Sequence, residues 1–207
     1  MMTLRIGVLV SGRGSNLESI LISVRRGLIK EAAVSVVISN RPEARALRIA
    51  KRHGVEAVAI DDRGTPTEEH ASMVEEALME HGVRPGEGLV LLAGYMKILP
   101  RSFVDLYEGR IMNIHPSLLP AFPGRDAQRQ ALAYGAKVAG CTVHFVAPEV
   151  DAGPIIIQKA VEVREDDDED SLASRILRQE HRIYPQAVAL FAEGRLRIRG
   201  RRVLVSR

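Results

Sequence analysis

Apolar residues run in blocks and stripes that alternate along the first half of the chain. Leu4–Val10 is almost continuously apolar, as in a strand buried on both faces. Over Asn16–Arg26 the apolar positions Leu17, Ile20, Leu21 and Val24 keep helical spacing, and Gly27 can end that helix. The alternation continues with a strand at Val34–Ser39, a helix at Pro42–His53 with Pro42 in its first turn, and a strand at Val55–Ile60. Thr65-Pro66-Thr67-Glu68 has the form of a capping box, and the helix it opens runs to about His81. Leu89–Ala93, a short helix at Ser102–Tyr107 and Arg110–Ile114 add two more strands around a helix. Strands separated by helices predict an α/β fold, a mostly parallel twisted sheet with helices on both faces.

From about residue 115 the pattern loosens. Ala127–Tyr134 reads as a helix, and Val138–Val146 and Ile155–Val163 as paired strands. The acidic run Glu165–Asp170 reads as a loop, followed by a long helix from Ser171. Leu172, Ile176, Ile183, Ala187 and Leu190 give that helix an apolar stripe, and Pro185 should kink it. The tail reads as an antiparallel hairpin turning at Arg199-Gly200. No linker or repeat divides the chain, so one domain is expected over 1–207. Its phosphate-binding half is about 1–100 and its catalytic half about 101–207.

Composition narrows the classes. The 207 residues are 46% hydrophobic with a net charge of +3, as in an ordinary globular chain. One cysteine, Cys141, cannot form an internal disulfide. The start lacks a basic leader and no apolar run reaches membrane-span length, so a cytoplasmic protein without a membrane partner is expected. Arg195, Arg197, Arg199, Arg201, Arg202 and Arg207 crowd the tail. They read as a solvated hairpin face rather than a nucleic-acid patch, since no aromatics are interleaved.

Two segments carry candidate chemistry. Ser11-Gly12-Arg13-Gly14-Ser15-Asn16 lies between the first strand and the first helix, where backbone amides and the helix N-terminus suit a phosphate. Ser15 and Asn16 add side-chain donors. A glycine turn capped by asparagine, with no ligand, is the plainer alternative. A dinucleotide fingerprint fits badly, because Leu17 stands at its third glycine and Asn40 where an acidic residue would hold a ribose. The second segment is Asn113-Ile114-His115-Pro116-Ser117, in which Asn113 and His115 share one strand face. An amide there can hold an oxyanion and an imidazole can move protons, although a hydrogen-bonded histidine at a strand end is equally ordinary. Asp151 lies in a turn-rich loop. Against His115 it would favour the imidazolium. His144 is either a supporting residue beside the site or strand packing.

Five motifs taken together resemble one family. They are Ser-Gly-x-Gly-Ser-Asn-Leu at 11–17, Leu-Ala-Gly-Tyr-Met-Lys-Ile-Leu at 92–99, Asn-Ile-His-Pro-Ser-Leu-Leu-Pro at 113–120, His-Phe-Val…Asp-x-Gly-Pro-Ile at 144–155 and Gln-Glu-His-x-Ile-Tyr-Pro at 179–185. In order and over nearly the whole chain, they resemble the phosphoribosylglycinamide formyltransferases. The resemblance implies a Rossmann-like formyltransferase fold and formyl transfer from 10-formyltetrahydrofolate, a consumed cosubstrate, to glycinamide ribonucleotide. Both partners are small molecules, no metal or nucleic acid is needed, and the chain would be a monomer or homodimer. It further implies that Asn113 stabilises the oxyanion and that His115 is the general acid. Asp151 would support His115 and order a relaying water. Gly14, Ser15 and Asn16 would bind the phosphate, and Glu180 the ribose hydroxyls. Met96, Lys97, Ile98 and Leu99, with Asn113, would line the folate pocket.

Three departures from the family pattern bear on folate contacts. Lys97 stands where arginine is usual. Arg125-Asp126-Ala127-Gln128 replaces a segment that often carries two histidines. An arginine often placed ahead of the third helix aligns near Thr67, with Arg63 the nearest substitute. Two relatives with the same core fit less well. Methionyl-tRNA formyltransferases carry a further C-terminal domain, and formyltetrahydrofolate hydrolases an N-terminal one. A phosphate sensor without chemistry would not need Asn113, His115 and Asp151 together.

Overall fold

The computed structural model describes residues 3–206. Nine strands form one sheet in the order β3-β2-β1-β4-β5-β6-β7-β9-β8. The strands are β1 (Leu4–Val10), β2 (Ala32–Ser39), β3 (Glu56–Ala59), β4 (Leu89–Leu92), β5 (Ile111–His115), β6 (Val138–Phe145), β7 (Ile155–Glu162), β8 (Leu196–Arg199) and β9 (Arg202–Val205). Neighbours from β3 to β5 pair in parallel. The β5–β6 and β6–β7 pairs are antiparallel, β9 lies parallel to β7, and β8 closes an antiparallel hairpin on β9. The expected mostly parallel sheet with an antiparallel C-terminal extension is therefore present.

Helices cover both faces. The residues of α1 (Ser15–Arg25), α2 (Arg45–Arg52), α5 (Ala127–Tyr134) and α6 (Glu169–Ala192) pack with Ile6, Val8, Leu89 and Leu91 into one core. Those of α3 (Thr67–Glu80) and α4 (Arg101–Leu106) pack with Leu9, Val90 and Leu92 into the other. Successive residues of β4 thus enter opposite cores, which is why its sequence is an apolar run rather than an alternation.

Four local readings need correction. Residues 41–44 form a turn rather than the first turn of α2, because the Ser39 hydroxyl binds both the amide and the carbonyl of Arg41. The capping box at Thr65–Glu68 does not form, since Pro66 itself takes the N-cap position and no side chain caps α3. A capping box does form at the start of α6. Asp168 accepts from the Ser171 amide, so α6 begins at Glu169 inside the acidic run. The tail hairpin turns at Gly200-Arg201, because Arg199 pairs with Arg202. Helix α6 continues through Pro185. In the hairpin, Arg197, Arg199, Arg201 and Arg202 are exposed, while Arg207 lies outside the described residues.

The strand order reverses between β1 and β4. The loops leaving these strands part there and open a crevice at their carboxyl ends. The Ser11 amide bonds the Gly94 carbonyl at 3.0 Å, and the Met96 amide bonds the Ser11 hydroxyl at 2.8 Å. The glycine loop and the 92–99 segment are thereby fixed against each other.

Candidate active site

Gly14 is the N-cap of α1 and adopts a left-handed backbone, φ 80°. A side chain there would meet Ala46 of α2 at 2.8 Å, so both conformation and space require glycine. The amides of Ser15, Asn16 and Leu17 open the helix without intrahelical partners, which makes this end of α1 suited to an anion. The Asn16 side chain does something else: it donates to Glu180 Oε2 at 2.7 Å. That bond joins the first helix to the last. Glu180 is buried, and desolvation raises its carboxyl above the usual range, with the Asn16 bond opposing. The Asn16 Oδ1 atom is buried without a protein partner.

Asn113 and His115 do share a face of β5, and β6 brings a further residue to them: His144 pairs with Asn113 in the antiparallel register. The Asn113 amide nitrogen lies 3.3 Å from His144 Nε2. His144 Nδ1 faces the Phe145 carbonyl at 2.9 Å and must donate to it, which leaves Nε2 as an acceptor for the Asn113 N–H. Burial holds the His144 imidazole below its usual range. The Asp151 carboxylate, 3.8 Å from Nε2, pulls the other way, but His144 is almost fully enclosed and desolvation dominates. A neutral His144 thus fixes which way the Asn113 amide points.

His115 is buried, with Nε2 2.9 Å from the Phe122 carbonyl and Nδ1 3.3 Å from Asp151 Oδ2. The ring is thus held between a backbone carbonyl and a carboxylate. Asp151 reaches His115 from the β6–β7 loop with a left-handed backbone, φ 53°, and also accepts the Gly124 amide at 2.8 Å. Gly153 packs so closely that a side chain would lie 1.7 Å from the Phe145 carbonyl oxygen. The loop can therefore return to β7 only with glycine there. The single cysteine, Cys141, is fully buried and burial pushes its thiol up to about 12, so it supplies no thiolate at neutral pH.

Met96, Lys97, Ile98 and Leu99 line an open groove of about 460 Å³ beside the crevice. Met96 and Ile98 are among the most exposed large apolar residues. Below them lies a polar network that the motifs did not announce. The Ser11 hydroxyl donates to Asn40 Oδ1 at 2.6 Å, and Asn40 Nδ2 donates to Asp62 Oδ2 at 2.9 Å. Arg41 binds Asp62 Oδ1 at 2.8 Å, and Lys97 Nζ stands 3.7 Å from Oδ2. The Asn40 bond, then Arg41 and Lys97, hold the Asp62 carboxyl below the usual range. The position of Asn40 at the carboxyl end of β2 was the one available hint of this network.

A left-handed glycine at a helix N-terminus, an Asn/His/Asp group on β5 and its neighbours, and a switch-point crevice place the chain in a known class. It belongs to the formyl transferase family, whose model matches residues 4–188. Within that family it falls among the phosphoribosylglycinamide formyltransferases, enzymes of purine biosynthesis. It is 41% identical to the phosphoribosylglycinamide formyltransferase of Escherichia coli (strain K12), with 94% of this chain and 90% of that protein covered. The structure of glycinamide ribonucleotide transformylase 1 from Symbiobacterium toebii superposes with a TM-score of 0.94 at 51% identity, covering 99% of this chain and 95% of that one. The chain is also 43% identical to the trifunctional purine biosynthetic protein adenosine-3 of Gallus gallus, over 94% of its own length but only 19% of that protein.

Proposed function

We propose that the enzyme transfers the formyl group of 10-formyltetrahydrofolate to the amine of N1-(5-phosphoribosyl)glycinamide by direct attack. The observation that carries this reading is the linked group His144–Asn113 and Asp151–His115 at the carboxyl end of β5. The phosphate binds the amides of Gly14, Ser15 and Asn16, and Glu180 takes the ribose hydroxyls. The folate lies along Met96–Leu99 and reaches Asn113.

The substrate amine attacks the formyl carbon, forming a C–N bond and a tetrahedral oxyanion. Asn113 donates its free N–H to that oxygen, while its other N–H remains on His144. His115, held beside Asp151, supplies the proton that the departing folate nitrogen needs as its bond to carbon breaks. The proton lost by the attacking amine returns through a water ordered by Asp151.

The test is an absorbance assay of folate deformylation with and without glycinamide ribonucleotide. Turnover that requires the ribonucleotide is expected. Equal turnover without it would make the enzyme a hydrolase and overturn the transfer reading.

A further inference from the structure

The arginines of the C-terminal hairpin are not alike. Arg197, Arg199 and Arg202 are exposed, with no ion pair or side-chain hydrogen bond among the described residues. Arg195 binds Glu193 and the Ser206 carbonyl, at the base of the hairpin. Arg201 reaches out of it. Its Nη2 donates to the Ala152 carbonyl at 3.2 Å, 49 residues back along the chain.

Ala152 follows Asp151 in the β6–β7 loop. That loop has few bonds of its own: the Ala152 amide bonds the Glu149 carbonyl at 3.3 Å, and the Phe145 amide bonds the Pro154 carbonyl at 2.9 Å. Among the described residues, Arg201 is the one side chain that bonds the backbone of residues 149–153. Asp151 stands at φ 53°, a conformation that persists only where surrounding contacts over-determine it. Gly153, packed on the Phe145 carbonyl, is one such contact, and the charge-assisted bond from Arg201 is another.

Arg201 itself has little slack. Gly200-Arg201 is a two-residue turn closed by the Arg199–Arg202 pair, with Gly200 at φ 58° as so short a turn demands. Arg202 then pairs with Ile155, the first residue of β7. The turn docks where the loop re-enters the sheet.

We propose that the hairpin braces the catalytic loop and that Arg201 is a positioning residue, fixing the loop backbone so that the Asp151 carboxylate stays against His115 and His144. The inference rests on the role given to Asp151 in the proposed function.

The test is a double-mutant cycle. Arg201→Ala should lower kcat about threefold to tenfold, while KM for both substrates stays within about twofold, since Arg201 binds neither. Arg201→Lys should recover part of the loss, because it keeps a charged donor. Arg199→Ala removes the same charge two residues away without touching the loop, and should match wild type. In an Asp151→Asn background, Arg201→Ala should cost less than about twofold more, because the group it positions has already lost its charge. Amide hydrogen exchange over residues 149–153 should quicken in Arg201→Ala and not in Arg199→Ala. The same loss in both backgrounds, the same loss from Arg199→Ala, or unchanged exchange in the loop would overturn the brace while leaving Asp151 its role. Wild-type turnover by Asp151→Asn would overturn that role, and the brace with it.

Discussion

On the proposed reading, the two halves of the molecule recognise their ligands by different means. In the first half the ligand-facing groups are backbone amides, set by a glycine and a helix start that are neighbours in sequence. In the second half they are side chains delivered from three places, β5, β6 and the β6–β7 loop, that touch one another. Backbone geometry reflects this. Of the four non-glycine residues with positive φ among the described residues, Glu31 lies in the first half at a surface turn, while Phe122, Asp126 and Asp151 lie in the second. Phe122 offers its carbonyl to His115, and Asp151 its carboxylate. Such conformations cost on the order of 1–3 kcal/mol each and persist where surrounding contacts over-determine them. On that reading, anion binding by backbone needs one glycine in the left-handed region, where glycine is unstrained. Acid–base chemistry needs several side chains held against their local preferences.

The comparison is broken most directly at Asn113. On the proposed mechanism, its replacement by alanine removes one oxyanion donor and leaves the backbone pairing of β5 untouched. The expected loss is about 10²–10³ in kcat, or roughly 3–4 kcal/mol of transition-state stabilisation, with KM for the ribonucleotide little changed. Steady-state kinetics of the purified variant checks this, and near-normal turnover would remove Asn113 from the chemistry.

Gly14→Ala is the complementary test in the other half. The added methyl would sit 2.8 Å from Ala46 on a backbone at φ 80°. The expected cost is about 2 kcal/mol of stability, or about 4–8 °C in melting temperature. KM for the ribonucleotide should rise about tenfold as the amide cradle opens, while kcat at saturation stays within a few fold. A fall in kcat with unchanged KM would mean that the two halves do not divide the work as described.

How much of this could be read from the sequence follows the same division. The parallel half was legible because each strand and helix is specified by its own spacing: β1 falls on Leu4–Val10 as predicted, and Gly14 sits at the start of its helix. The starts of α2 and α3 were misplaced because proline at a helix start is ambiguous between the first helical turn and the cap. A side-chain bond from Ser39 decided the first case, and the extended backbone of Pro66 the second. Within the site, Asn113 and His115 were legible from strand periodicity. The specific contacts of the site were not, because pairs such as Asn16–Glu180 and Asn113–His144 are set by which elements lie side by side. Asp62 was invisible for the same reason: nothing around Asp61-Asp62 indicates that Asn40 and Lys97 converge on it.

The smallest expected effect concerns Glu180, where the two halves meet. Burial raises its folded-state carboxyl above the unfolded value. The folded protein therefore keeps that proton to a higher pH than the unfolded chain does. Between the two values the native state binds more protons, so stability falls as pH rises through that window. At neutral pH the buried carboxyl is therefore a net cost to folding, which its bond from Asn16 only partly offsets. Glutamine keeps an acceptor for Asn16 and removes the charge, so Glu180→Gln should stabilise the protein by about 1 kcal/mol at pH 7, or about 2–4 °C. The gap from wild type should close as pH falls below the ordinary carboxylate range, where Glu180 is protonated in both states. The same variant should raise KM for the ribonucleotide, because a neutral amide accepts the ribose hydroxyls less strongly than a carboxylate. Melting curves from pH 4 to pH 8, paired with kinetics, test both effects. A variant no more stable than wild type at pH 7, or a gap that persists at pH 4, would show that the buried charge is not what Glu180 contributes. A gain in stability with a loss of ribonucleotide affinity would mean that the contact joining the halves is kept for binding, at a cost to the fold.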